Sequence, residues 1–126
     1  MNSVNSQTKL AVIVARPGVV LEALRATLAQ VSRLEVCGIA SGSLSALKLV
    51  RKYNPALLVI DSGLLQDEML MLLKQSKQMY PQIKCLVVTG SQRQQQIFNA
   101  SEADIVILRS ERIDRMEEAL GILTES

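Results

Sequence analysis

The chain has no histidine and no tryptophan, and its aromatic residues are two tyrosines and one phenylalanine. Without histidine there is no Ser-His-Asp hydrolase, no His-ligated zinc and no phosphohistidine carrier. With so few aromatics there is little to sandwich a flavin, and Leu, Ile, Val, Met and Ala must fill the core. No apolar run approaches the roughly 20 residues that span a bilayer. Met1 to Thr8 is polar and lacks the apolar stretch of a signal peptide, so it reads as a disordered tail and a cytoplasmic location is expected. The net charge is only +2, spread along the chain, which gives no electrostatic case for direct nucleic-acid or membrane binding. Two cysteines, Cys37 and Cys85, fall inside predicted strands. They read as buried free thiols acting as small hydrophobes, with a disulfide or redox role as the alternative.

What is present is a repeating alternation. The 126 residues, 48% of them apolar, suit one domain over residues 9–126. Short β-rich runs are predicted at Lys9–Val14, Glu35–Ala40, Ala56–Ile60, Lys84–Val88 and Asp104–Leu108. Leu57-Leu58-Val59-Ile60 and Leu86-Val87-Val88 are apolar at every position, as in strands covered on both faces.

Helical spacing fills the gaps. It runs from about Val19 to Val31, from a Ser43 N-cap through Leu44, Leu47 and Val50 to Asn54-Pro55, and from about Gln66 to Tyr80. A glutamine-rich helix follows at Gln92–Asn99, and a last one at about Ile113 to Leu123. Five such βα alternations with right-handed crossovers predict an α/β fold, a three-layer αβα sandwich around a parallel sheet.

Asp61 closes the third apolar run. A carboxylate at the carboxyl end of a buried parallel strand lies on the rim where open α/β sheets place their chemistry. The corresponding rim of the first strand carries Ala15 and Arg16 instead of acids, and that of the fifth carries Arg109.

The order and spacing of these residues resemble the receiver domain of bacterial two-component response regulators, CheY-like and closest to receivers that precede a LuxR/NarL-type DNA-binding domain. The likeness rests on Val20, Glu22 and Leu24-Arg25-Ala26 in the first helix, Val36, Gly38 and Ala40 in the second strand, and Ala46-Leu47 in the second helix. It continues in Pro55 through Asp61, in Thr89, and in Ala103-Asp104. It implies a flavodoxin-like sheet of order 2-1-3-4-5 with five helices, Asp61 at the phospho-acceptor position and Thr89 at the hydroxyl position.

The resemblance also shows what is missing. Receivers carry two acids where Ala15 and Arg16 stand, a lysine where Arg109 stands, and a switch aromatic where Val106 stands. Their three carboxylates and one lysine leave a surplus of negative charge that one Mg²⁺ offsets. Here one carboxylate faces two guanidinium groups and the surplus is positive. Each unit-charge contact near 4 Å is worth about 4 kcal/mol at an effective dielectric of about 20. Mg²⁺ binding is therefore expected to be lost, and with it the main counter-charge for phosphoryl transfer.

Asp61 is then a carboxylate salt-bridged to Arg16 or Arg109, and Arg16 either faces the site or points to solvent. Val106 reads as core, and Thr89 as a pocket hydroxyl, a polar strand end or a helix cap.

Three functions compete. The first is a non-enzymatic pseudo-receiver acting by protein–protein contact, as a homodimer and with a DNA-binding effector domain or partner. Its contact face would include Gln94, Gln95, Gln96, Phe98, Arg112 and Arg115. The second keeps Asp61 as a working phospho-acceptor. The third is a flavodoxin-like small-ligand binder, against which stands the lack of a glycine-rich loop at Ala15-Arg16-Pro17-Gly18. A cationic rim also opens a minor possibility, that backbone amides near Gly63 or Gly90, with Arg16 and Arg109, hold a phosphate or sulfate.

Overall fold

The computed structural model describes residues 8–61, 63–109 and 118–121. The chain alternates β1 (Lys9–Val14), α1 (Val19–Ala29), β2 (Leu34–Ala40), α2 (Ser43–Tyr53), β3 (Leu57–Asp61), α3 (Gln66–Met79), β4 (Lys84–Thr89), α4 (Gln92–Asn99) and β5 (Ile105–Leu108). Residues 118–121 are helical as well. The remainder of the expected last helix and Met1 to Gln7 of the expected tail lie outside the described residues.

All neighbouring strands pair in parallel, in the order β2-β1-β3-β4-β5. Every residue of β3 is buried, because helices cover both faces of the central strand. One face packs Val12, Val14, Leu58, Ile60 and Val87 under α2, α3 and α4 through Leu47, Val50, Met69, Leu72, Leu73 and Phe98. The other packs Ala11, Ile13, Val59, Leu86 and Val88 under Leu21, Leu24 and Leu28 of α1 and under Ala119 and Leu120. The architecture is the three-layer sandwich expected from the periodicity.

Local differences from the expectation have local causes. Gly42, not Ser43, caps α2; Ser43 is its first helical residue and its Oγ donates to Glu68 Oε1 at 2.9 Å, tying α2 to α3. Leu44 is 77% exposed instead of buried; the buried residues of α2 are Ala46, Leu47 and Val50. Phe98 is fully buried, so it belongs to the core and not to a contact face. Arg112 and Arg115, placed on the same face, lie outside the described residues.

On edge strand β2 the register slips between Ala11 and Val12, whose partners are Val36 and Gly38, so Cys37 is an unpaired bulge residue. A Cβ on Gly38 would lie 2.9 Å from both terminal methyls of Leu49, so the Leu49 side chain of α2 packs directly over the Gly38 backbone. Both thiols are free.

Candidate functional site

In a parallel sheet every strand ends at the same rim, and four of the sequence-selected residues meet there. Asp61, the last residue of β3, is only 6% exposed. Its Oδ1 accepts the Gly63 N–H at 3.0 Å, the Asx-type turn by which an aspartate bonds the backbone two residues on. The same oxygen accepts Nη2 of Arg109 at 2.6 Å.

Arg109 follows β5, two strands from β3, so its side chain crosses the end of β4 to make that contact. Its backbone is pinned where β5 ends, its N–H donating to the Thr89 carbonyl at 2.6 Å. Two glycines make room for the crossing. A Cβ on Gly63 would lie 3.2 Å from Asp61 Oδ2 and 3.3 Å from Arg109 Nη2, and one on Gly90 would lie 3.3 Å from Arg109 Nη1. The guanidinium is thus threaded between two backbone segments with no side chain to displace it. Its own side chain is 41% exposed while that of Asp61 is 9% exposed, so the cation sits over the carboxylate like a cover.

The other candidates fall around this pair. Ala15 is buried among the α1-side core residues, its N–H donating to the Ala40 carbonyl at 2.9 Å. Arg16 is exposed, and among the described residues no ion pair joins it to Asp61. Thr89 is fully buried; its Oγ1 donates to the Ile107 carbonyl at 3.1 Å, across to β5 and not toward the acid. Val106 pairs with Val87 and packs against the α2–α4 core.

Sequence reasoning placed Gln94 on the contact face and missed its role at the rim. Its Oε1 accepts the Gly90 N–H at 3.0 Å while its own N–H donates to Ser91 Oγ at 3.2 Å. The signal was there, since Ser91-Gln92-Arg93-Gln94 has the Ser-x-x-Gln spacing of a helix-capping box. Gln94 and Asp61 between them occupy both amides that an anion would need. In this structure both amides are engaged by the chain's own side chains.

Chemically, among the described residues at the strand ends, the carboxylate of Asp61 already carries a cation. Mg²⁺ is held by several hard oxygens, usually carboxylates together with waters and phosphate. Among the described residues no group of three or more His, Cys, Asp or Glu side chains is placed to hold a metal ion. Among the described residues the donor set around Asp61 does not fit a divalent cation.

Comparison with known proteins agrees on the fold. No protein-family model matches the chain, and no curated protein does. Solved structures match over nearly its whole length. The isolated REC domain of RcsB from Salmonella enterica serovar Typhimurium, in the presence of the phosphomimetic BeF₃⁻, superposes with a TM-score of 0.82 at 18% identity, covering 94% of this chain and 90% of that one. A DNA-binding response regulator of the LuxR family from Staphylococcus aureus gives 0.75 at 18% identity, covering 93% and 99%. RcsB bound to promoter P1flhDC gives 0.78 at 18%, covering 94% of this chain but 61% of that one. The chain has the fold of response regulator receiver domains.

Proposed function

We propose that this chain is an atypical receiver module of bacterial two-component signalling that works by protein–protein contact, without phosphorylation and without Mg²⁺. One observation carries the reading. The 2.6 Å contact of Arg109 with Asp61 puts a fixed guanidinium where a receiver needs a metal-neutralised, attackable carboxylate. Ala15 and Arg16 remove the two acids that would compete for a divalent ion. Phosphoryl transfer depends on positioning and on counter-charge at the developing oxygens. Here the counter-charge is covalently part of the chain and already spent on the acceptor.

The buried Thr89 hydroxyl and the aliphatic Val106 support the same conclusion. The hydroxyl is engaged by the Ile107 carbonyl, and a valine has no ring to swing between two orientations. The output is a surface, used as a homodimer and in transcription control with a DNA-binding effector domain. LuxR-family and promoter-bound neighbours of the same fold favour that setting.

Incubation with Mg²⁺ and acetyl phosphate, followed by intact-mass measurement, tests the reading. No mass change is expected. A phosphoryl adduct that disappears in Asp61→Asn would overturn it and restore Asp61 as a working acceptor.

A further inference from the structure

The parallel sheet has a second end, opposite Asp61, where all its strands begin. A cleft of about 720 Å³ opens there, lined by the turn from α2 into β3, the turn from α3 into β4, and the first residue of β1. Small-molecule sites span roughly 300–1,000 Å³, so the size suits a ligand and not a single ion. Its apolar lining includes Ile83, which is buried, and Met79, which is half-buried. Its charged lining is Lys9 and Lys84, the first residues of β1 and β4, and no described acid lines it. These lysines stand 75 residues apart in sequence and meet only because parallel strands start side by side.

The charges select the ligand. Lys84 is half-buried, and among the described residues its ammonium has no hydrogen-bond or ion-pair partner. A partly desolvated cation without a counter-charge is unfavourable, and a bound anion offsets that cost. Basic residues near helix ends often only answer the helix dipole, and Arg51 and Lys52 in the last turn of α2 do so. Lys9 and Lys84 begin strands and belong to no helix. The acids on neighbouring elements are placed elsewhere. Glu35 is on β2, beyond β1 from the cleft, and Glu102 lines a separate groove with Lys74. Asp104 Oδ2 already takes Lys77 Nζ and the Cys85 N–H, both at 2.7 Å. A cleft whose lining charge has one sign, with apolar walls, concentrates counter-ions.

We infer that this cleft binds a small organic anion, an apolar body carrying one carboxylate or phosphate. The acid group lies at Lys84 and Lys9 and the body against Met79 and Ile83. Asn54 and Tyr80 supply orientation. The Asn54 N–H is used in closing α2, donating to the Val50 carbonyl at 2.9 Å, so its side-chain amide is what faces a ligand. The Tyr80 hydroxyl donates to the Arg51 carbonyl at a long 3.4 Å, a bond readily exchanged for a better one. The inference goes beyond the proposed function and does not depend on the state of Asp61. It gives a module without phosphoryl transfer a chemical input.

Chemical-shift titration of the ¹⁵N-labelled full chain with 2-naphthoate and with 1-naphthyl phosphate tests it. Saturable shifts are expected at the amides of Asn54, Ala56, Gln82 and Lys84, and none at Gly63 or Gly90; the tighter probe identifies the acid group. Neutral 2-naphthamide and inorganic phosphate, each lacking one half of the ligand, should bind at least about tenfold more weakly. Lys84→Glu should cost at least about tenfold in affinity and Lys84→Arg little, since the guanidinium keeps the charge. Arg16→Glu, at the other end of the sheet, should change nothing, and each variant's spectrum should show it folded. No saturable shift at the cleft with either naphthyl probe overturns the inference. So do shifts gathered at Gly63 and Gly90, equal affinity for the neutral amide or for inorganic phosphate, or binding indifferent to Lys84→Glu. None of these results bears on whether Asp61 gains a phosphoryl group, so the two readings fail separately.

Discussion

Replacing Arg109 by alanine strips the cover from Asp61 and leaves a carboxylate with 9% side-chain exposure held, among the described residues, by the Gly63 N–H. A hydrogen bond to a charged group contributes about 1.5–3 kcal/mol. The guanidinium is 41% exposed, so part of that is screened by solvent, and a loss of about 1–2 kcal/mol is expected. Asp61→Asn is a gentler change. Its amide oxygen still accepts from Gly63, while the released guanidinium can turn to water, so about 0.5–1 kcal/mol should be lost. The double variant Arg109→Ala/Asp61→Asn removes the buried charge that the first leaves behind, and should be more stable than Arg109→Ala alone.

Urea unfolding at neutral pH measures all three. At an m-value of about 2 kcal/mol/M, Arg109→Ala should lower the midpoint by roughly 0.5–1 M. The pair being partly shielded, added salt should reduce the coupling only modestly. Additive losses in the double variant, or Asp61→Asn costing more than Arg109→Ala, would refute the reasoning. Either result would mean that the contact is a solvated surface pair and not a lid on a buried acid.

The oxygen of Ser76 is buried on the core side of α3 with no hydrogen-bond partner among the described residues. Ser76→Ala removes that desolvation cost and adds a better helix former, so it should stabilise the protein by about 1 kcal/mol, read as a higher Tm. Burial pushes the Cys85 thiol up from 9.0 to about 12, with Lys77 opposing the rise. Above pH 9 the unfolded chain gives up this proton and the folded chain keeps it. Stability from this group is therefore complete below pH 9 and is lost as pH rises toward 12, by up to roughly 4 kcal/mol. Cys85→Ala should flatten that part of a stability-against-pH curve, while the native protein leaves Cys85 unlabelled by thiol reagents at neutral pH.

Much of this molecule is written in its local patterns. The unbroken apolar runs of β3 and β4 need cover on both faces, and that requirement alone implies a parallel sheet under helices. The placement of Asp61 on a rim, and of arginines where acids or lysine would stand, follows from position relative to those runs. Burial of individual helix-end residues was less legible. Leu44 continues the apolar spacing of α2, yet spacing cannot say which of those residues end up covered.

Which arginine answers Asp61 was decided only in three dimensions. Arg16 follows β1, the strand beside β3, while Arg109 follows β5 with β4 in between. By strand order the first is nearer, yet the second makes the contact, because the end of β5 aims its side chain back over the sheet and Gly63 and Gly90 clear the path. The same holds for the amides of Gly63 and Gly90, whose partners depend on how the turns fold back on themselves. Sequence alone settled the kinds of residue available at this rim, because burial periodicity is a one-dimensional signal. Tertiary structure settled which of them touch, since a contact across two strands depends on directions and clearances that no linear spacing encodes.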